Sequence, residues 1–373
     1  LMEEKTKVMG IGRSLFILLA AVLFCGCFVS QEIYAVTAKY ASLVSFAAFT
    51  ALFFSHRNPF RCLFERDMEF LLMAAADLLT LLNLFLIHSN KGAFLTVVNL
   101  LMAVYLADKV NFTRRQAMIF SGCMTVFLIP WFAFVKWEYN FNMAGLVFMM
   151  LTVMGILFLE FVKEVYAMPY MRWIQILLCA TGTLYTILYH SRCAMAGMFL
   201  FMIFLTCGKI IQKNRAIKRM IIIMTTAGSI VFTLFYVWLG SLSVEITFLY
   251  KSILSGREEI WGELWQALLE KPVTGIGSAY QMKSFFIFEV HNGLFDILAV
   301  HGIPVFLLVI FLLVRKMWLC PSGREQTAVV RIAQSGIFAM LFVSFFENFF
   351  IVPPYLLLFF FLFTIVAHTG KSP

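Results

Sequence analysis

An all-helical, polytopic membrane fold of about twelve spans is what the sequence predicts, and three observations predict it. Of 373 residues, 62% are hydrophobic and 13% charged, with a mean hydropathy of +0.90. Soluble domains are about half apolar and about a quarter charged, so a soluble enzyme, a disordered chain and a small secreted scaffold are excluded. The apolar residues also come in long unbroken runs near the ~20 residues that a helix needs to cross a bilayer. A transmembrane barrel would instead show ~10-residue alternating segments. Finally, the basic residues sort by side once the runs are threaded alternately through a membrane.

The runs begin near Arg13, Val36, Met68, Gly92, Ala117, Met143, Arg172, Ala194, Met220, Gly293, Ala328 and Phe350. The fourth and eighth are the shortest. The first could instead be a signal peptide, with Phe24-Cys25-Gly26-Cys27 faintly like a lipoprotein cleavage site, but no soluble domain follows it. Leu1, ahead of Met2, is read as a cloning remnant. With both termini inside, 21 of the 29 Lys and Arg fall on inner connections, the asymmetry expected of cytoplasmic loops. That accounts for the +9 net charge, and no nucleic-acid footprint is present. The chain reads as one transmembrane domain, 1–373. The 43 Phe and 21 Met suit lipid-facing, loosely packed surfaces. The eight Cys lack zinc spacing and read as small apolar residues.

One connection, 240–292, is long, faces outside and is not low-complexity, so it is expected to carry function. Within it Ser255-Gly256-Arg257-Glu258 has capping-box spacing. Ile260, Trp261, Leu264, Trp265, Leu268 and Leu269 then recur at helical spacing until Pro272. This predicts an amphipathic helix with two Trp at the membrane–water interface. It either caps the bundle or positions Arg257 at the outer headgroup level. Gly275 and Gly277 allow a turn or an anion-binding nest of amides.

Three further polar groups share the outer side. His291-Asn292 precedes the tenth run, with Asp296 and His301 deeper inside it, where ionisable groups are costly. His190-Ser191-Arg192 lies between runs seven and eight. Asn140 to Gly145 opens the sixth, where Asn142 is either a cap or a site residue. Outward Arg residues suit a phosphate group, which Arg holds bidentately. A neutral His beside them suits a general base. Few carboxylates cluster there, so phosphate handling without a metal or cofactor is expected. Asp77, Asn83, Asn99 and Glu160 are left as intramembrane polar groups with no assigned role.

These pieces resemble the O-antigen ligase and polymerase superfamily, bacterial membrane glycosyltransferases that use polyprenyl-diphosphate-linked sugars. The matching residues are Ser191-Arg192, Ser255-Gly256-Arg257 with Trp261, Pro272 with Gly275 and Gly277, and His291-Asn292 with Leu298, Gly302 and Ile303. The resemblance covers roughly 140–315. Cys193, Phe295 and Val305 depart from the family's pattern. The resemblance implies an active site on the outer face of the cytoplasmic membrane. Arg192 and Arg257 would hold the diphosphate and His291 would be the base. Asn292, Ser191, Asn142, Gly275, Gly277 and Asp296 would support them. It implies an inverting polymerase of lipid-linked repeat units, acting on an acceptor glycan with a flippase and a chain-length regulator as possible partners. A ligase and a transporter or flippase are the alternatives.

Overall fold

The computed structural model describes residues 2–87, 89–133, 141–242, 247–248, 251–252, 256–283, 289–320 and 327–368. Asn140 and Ser255, both singled out above, lie outside the described residues. The order is α1 (Met2–Phe28), α2 (Gln31–His56), α3 (Pro59–Phe64), α4 (Met68–Leu86), α5 (Lys91–Leu106), α6 (Arg114–Ala133), α7 (Phe141–Tyr166) and α8 (Met171–Leu188). It continues with α9 (Arg192–Thr206), α10 (Gly208–Lys213), α11 (Arg215–Thr225), α12 (Gly228–Ser241), α13 (Arg257–Glu270), α14 (Gly293–Leu319), α15 (Ala328–Val343) and α16 (Pro353–Ala367). The fold is not purely helical: β1 (Thr247–Phe248) and β2 (Lys251–Ser252) form a short antiparallel hairpin in the long connection.

Each of the twelve apolar runs falls on a helix, the ninth on α11 and α12, which are bent by 50°. Six helices, α1, α2, α4, α7, α8 and α14, are long and apolar enough to cross a membrane, and the bent pair would be a seventh. The helices α5, α9, α15 and α16 are apolar but shorter. At 1.5 Å per residue such helices reach only ~24 Å, short of a hydrocarbon core of ~30 Å.

Burial explains how short helices fit. In the most apolar window of α7, 83% of residues are buried, against 11% for α8. Helices α5, α7, α15 and α16 form the centre. Apolar on all sides, α16 fits such a position. The flanking α4, α8 and α12 turn Phe85, Trp173, Leu177, Val231 and Trp238 outward. The aromatic residues are not confined to that outer surface. Phe16, Phe24, Phe28, Phe49, Phe120, Phe148 and Phe201 are fully buried, and Phe360 meets Phe16 and Phe49 at 5.1 and 5.2 Å. Without water between helices, association rests on van der Waals packing and on interhelical hydrogen bonds, and flat rings supply large packed areas. All eight cysteines are free thiols.

Polar groups inside the bundle join helices. Asn99 donates to the Ser42 carbonyl (2.9 Å), and Gln175 to Glu160 (2.9 Å), which also holds Lys163 (2.8 Å). Asn83 donates to the carbonyls of Thr274 (3.0 Å) and His301 (3.1 Å). The second carbonyl is open because Gly302, at φ +81°, breaks the helical ladder of α14 just before Pro304. Residues 272–277 dock on this break. Ile276, Gly277 and Ile303 donate to the carbonyls of Ala299, Val300 and Pro272. A Cβ on Gly302 would lie 2.3 Å from the Val273 oxygen, and one on Gly275 2.5 Å from the Val300 oxygen. Asp77 remains without a partner for its buried Oδ1.

At the opposite end of α14 a charge cluster ties α4 and α14 to the turn that follows α5. Lys109 pairs with Glu69 (3.0 Å) and Asp108 (3.2 Å), Lys316 with Asp108 (2.6 Å) and Glu69, and Arg315 with Glu69 (3.3 Å). Burial pushes the Asp108 carboxyl up, but Lys316 and Lys109 outweigh it and hold it below the usual carboxylate range. Its contribution is therefore complete above the ordinary Asp value of about 3.9 and is lost as pH falls through the lower folded value. Asp108→Asn should lower the thermal midpoint in detergent at pH 7, and the gap to wild type should close below about pH 4. Gly302→Ala should destabilise the protein by at least ~2 kcal/mol, since positive φ and a backbone collision coincide; a thermal midpoint unchanged from wild type would contradict this docking geometry.

Candidate active site

The segment between α15 and α16 carries Glu347 and Asn348 between two pairs of phenylalanines, Phe345-Phe346 and Phe349-Phe350. The Glu347 side chain is only 12% exposed. Arg257, the first residue of α13, donates from Nη2 to Glu347 Oε1 at 2.8 Å. Asn142, in the first turn of α7, donates to the same oxygen at 3.1 Å. His291 meets Oε2 through Nδ1 at 3.0 Å. An ionised carboxylate only accepts, so in the neutral imidazole this contact puts the proton on Nδ1 and leaves Nε2 as an acceptor. Glu289 lies 3.9 Å from the same nitrogen.

The backbone around His291 is held from three sides. Trp261 donates to the Val290 carbonyl at 2.6 Å. The Asn292 amide donates to Asn348 Oδ1 at 2.9 Å, and the Gly293 amide to the Ser344 carbonyl at 3.0 Å. His291 itself sits at φ +52°, a left-handed conformation uncommon for a residue with a side chain and enriched at functional sites. Asn292 is fully buried. Its Oδ1 caps α14 at Phe295 (3.0 Å) and accepts from Ser229 (2.8 Å), and its Nδ2 donates to Phe345 (3.3 Å). Asn292 therefore fixes the main chain beside His291 and makes no bond to the imidazole.

Ser191 and Arg192 join this end of the bundle through α9. Ser191 is buried and donates to the Asn142 carbonyl at 3.2 Å. Gly145 makes room, since a Cβ there would lie 2.2 Å from that of Ser191. Arg192 and Arg257 both act electrostatically on Tyr236 of α12. Beyond its single bond to Glu347, Arg257 keeps further guanidinium N–H groups with no partner among the described residues. Asp296, one turn into α14, makes no side-chain hydrogen bond or ion pair among the described residues; only its amide is bonded, to Asn292.

Several expectations are corrected. The helix in the long connection forms where its spacing predicts, but Trp261 is wholly buried, so it is no interfacial anchor. Trp265 stacks on Phe295 at 5.0 Å. The helix is capped by Gly256 at φ +81°, with no side-chain cap bond. Gly275 and Gly277 do not form an anion nest. Their amides donate to the Lys271 and Val300 carbonyls, so these glycines build the dock on α14. Glu347 lies outside the basic clusters from which the sequence predicts the site. Its signal was present, as one carboxylate between two apolar runs.

Residues 177–310 match the family described as O-antigen ligase. The match runs from α8 to the middle of α14, taking in Arg192, Arg257 and His291 but neither Asn142 nor Glu347. No curated protein and no solved structure matches the chain. Glu347→Gln should cost about 1–3 kcal/mol in chemical or thermal denaturation. It strands a largely buried Arg257, while residual exposure keeps the cost below the ~3–5 kcal/mol of a fully buried broken pair.

Proposed function

We propose, from the match of residues 177–310 to the O-antigen ligase family, that this chain is a glycosyltransferase that polymerises polyprenyl-diphosphate-linked repeat units. The observation that carries the proposal is the joint attachment of His291 and Arg257 to one carboxylate, Glu347. The Glu347 contact keeps the His291 proton on Nδ1, so Nε2 takes the proton of the acceptor hydroxyl. That oxygen forms a bond to the anomeric carbon as the bond to the diphosphate oxygen breaks. The diphosphate departs from the opposite face with the bonding electron pair, which inverts the anomeric centre. Arg192 and Arg257 balance its charge. Asn142 and Ser191 support Glu347 and the start of α9. Asp296 borders the same end of α14 as a further supporting group.

This reading includes twelve crossings with cytoplasmic termini, the short central helices being shielded from lipid by their neighbours. The site then faces outward from a bacterial cytoplasmic membrane, where a flippase would deliver the lipid carrier and a chain-length regulator would act. Basic residues support that orientation by their distribution. A second reading, a ligase passing the glycan to another acceptor, is favoured by the description of the matched family. The same groups would serve it.

The test is product analysis with a purified polyprenyl-diphosphate oligosaccharide, in chelator. A ladder of lengthened lipid-linked chains is expected from the wild type. His291→Ala should abolish it while donor binding survives; normal turnover would remove His291 from the mechanism. No lengthening despite donor binding would favour the ligase or a transporter. Arg257→Lys should weaken donor binding about tenfold, because Lys lacks the planar fork; unchanged affinity would argue against phosphate contact there.

A further inference from the structure

At the end of the bundle opposite Glu347, α11 meets the C-terminal end of α14 around a cavity of about 290 Å³. Arg215, Lys218 and Arg219, spaced i, i+3 and i+4 on one face of α11, line it together with Ile222, Trp318 and Cys320. Among the described residues no carboxylate lines it and none of the three cations makes an ion pair. Lys218 is 5% exposed. It donates one bond to the Cys320 carbonyl at 2.8 Å, which leaves two of its three N–H donors unbonded among the described residues. Arg219 lies over the Trp318 ring, 5.4 Å from its centre. A charge that served topology alone would stay in water; Lys218 is withdrawn into the protein with an anion-sized space beside it.

The surroundings of the cavity say what kind of anion fits. Its mouth is bordered by the exposed apolar side chains of Trp318 and Leu319, and α11 exposes Met220, Ile223 and Met224 on its other face. The 50° bend between α11 and α12 turns α11 away from its partner's axis. A soluble phosphate has no use for this apolar rim, whereas acyl chains do. We infer that the cavity between α11 and α14 binds the phosphate headgroup of an anionic phospholipid, held by Lys218 inside and by Arg215 and Arg219 at the mouth. Basic pockets between membrane helices bind acidic headgroups in this way. The site is independent of the chemistry at Glu347.

Native mass spectrometry of the full-length protein, released from nanodiscs of phosphatidylglycerol and phosphatidylethanolamine, tests this. Phosphatidylglycerol should be retained preferentially. Arg215→Gln/Arg219→Gln should reduce its retention about fivefold for each arginine, the ratio equivalent to ~1 kcal/mol per cation at an anionic surface. Both arginines are exposed, so the double variant should melt as the wild type does. Lys218→Met should reduce retention further. Equal retention of the two lipids, or retention unchanged in the double variant, would overturn the inference. Glycerol phosphate displacing the lipid at equal concentration would overturn the lipid as source, leaving a site for soluble phosphate.

Discussion

The carboxylate of Glu347 is the constraint on which its end of the bundle depends. It lies at 12% exposure among aromatic side chains, where an unpaired charge would be costly. Three groups from three different elements satisfy it: Asn142 from α7, Arg257 from α13, and His291 ahead of α14. Because a partly buried carboxylate cannot give up its partners cheaply, it fixes the imidazole tautomer and holds one face of the guanidinium. Everything that a catalytic role would need from His291 and Arg257, their separation and their free donor or acceptor atoms, follows from that attachment.

The main chain is arranged to keep this geometry. His291 sits in a left-handed conformation between a Val290 carbonyl bonded to Trp261 and an Asn292 amide bonded to Asn348. Its neighbour Asn292 accepts from Phe295 and Ser229 on Oδ1 and donates from Nδ2 to the Phe345 carbonyl. Further along α14, the break at Gly302 exposes carbonyls that are met by residues 272–277 and by Asn83. The long connection is thus stitched to α14 in two places, and the charge cluster around Glu69 and Lys316 anchors the far end of the same helix.

The two ends of the bundle differ in what their cations do. At the Glu347 end an arginine is paired with a carboxylate and held in place. Around α11 the three cations have no carboxylate beside them among the described residues and line a cavity bordered by apolar side chains. Rigid positioning suits a reacting group, whereas uncompensated charge next to exposed apolar surface suits a lipid headgroup.

The sequence by itself determined the helical bundle, the apolar runs, the amphipathic α13 and the residue types of the site. Those are local properties: run length, 3.6-residue spacing and charge can be read along the chain. It also brought forward Arg257, His291 and Arg192, because charged groups stand out in an apolar chain. Tertiary structure alone decided that Glu347 joins them, that Trp261 turns inward, and that Gly275 and Gly277 serve a backbone dock. Each of these depends on contacts between residues far apart in sequence: Glu347 from Arg257, Trp261 from Val290, and Gly275 from the break at Gly302. Local periodicity carries no record of such pairings. In a chain apolar on nearly every face it also cannot separate lipid-facing helices from buried ones, which is why the central position of α5 and α16 emerged only when the helices packed.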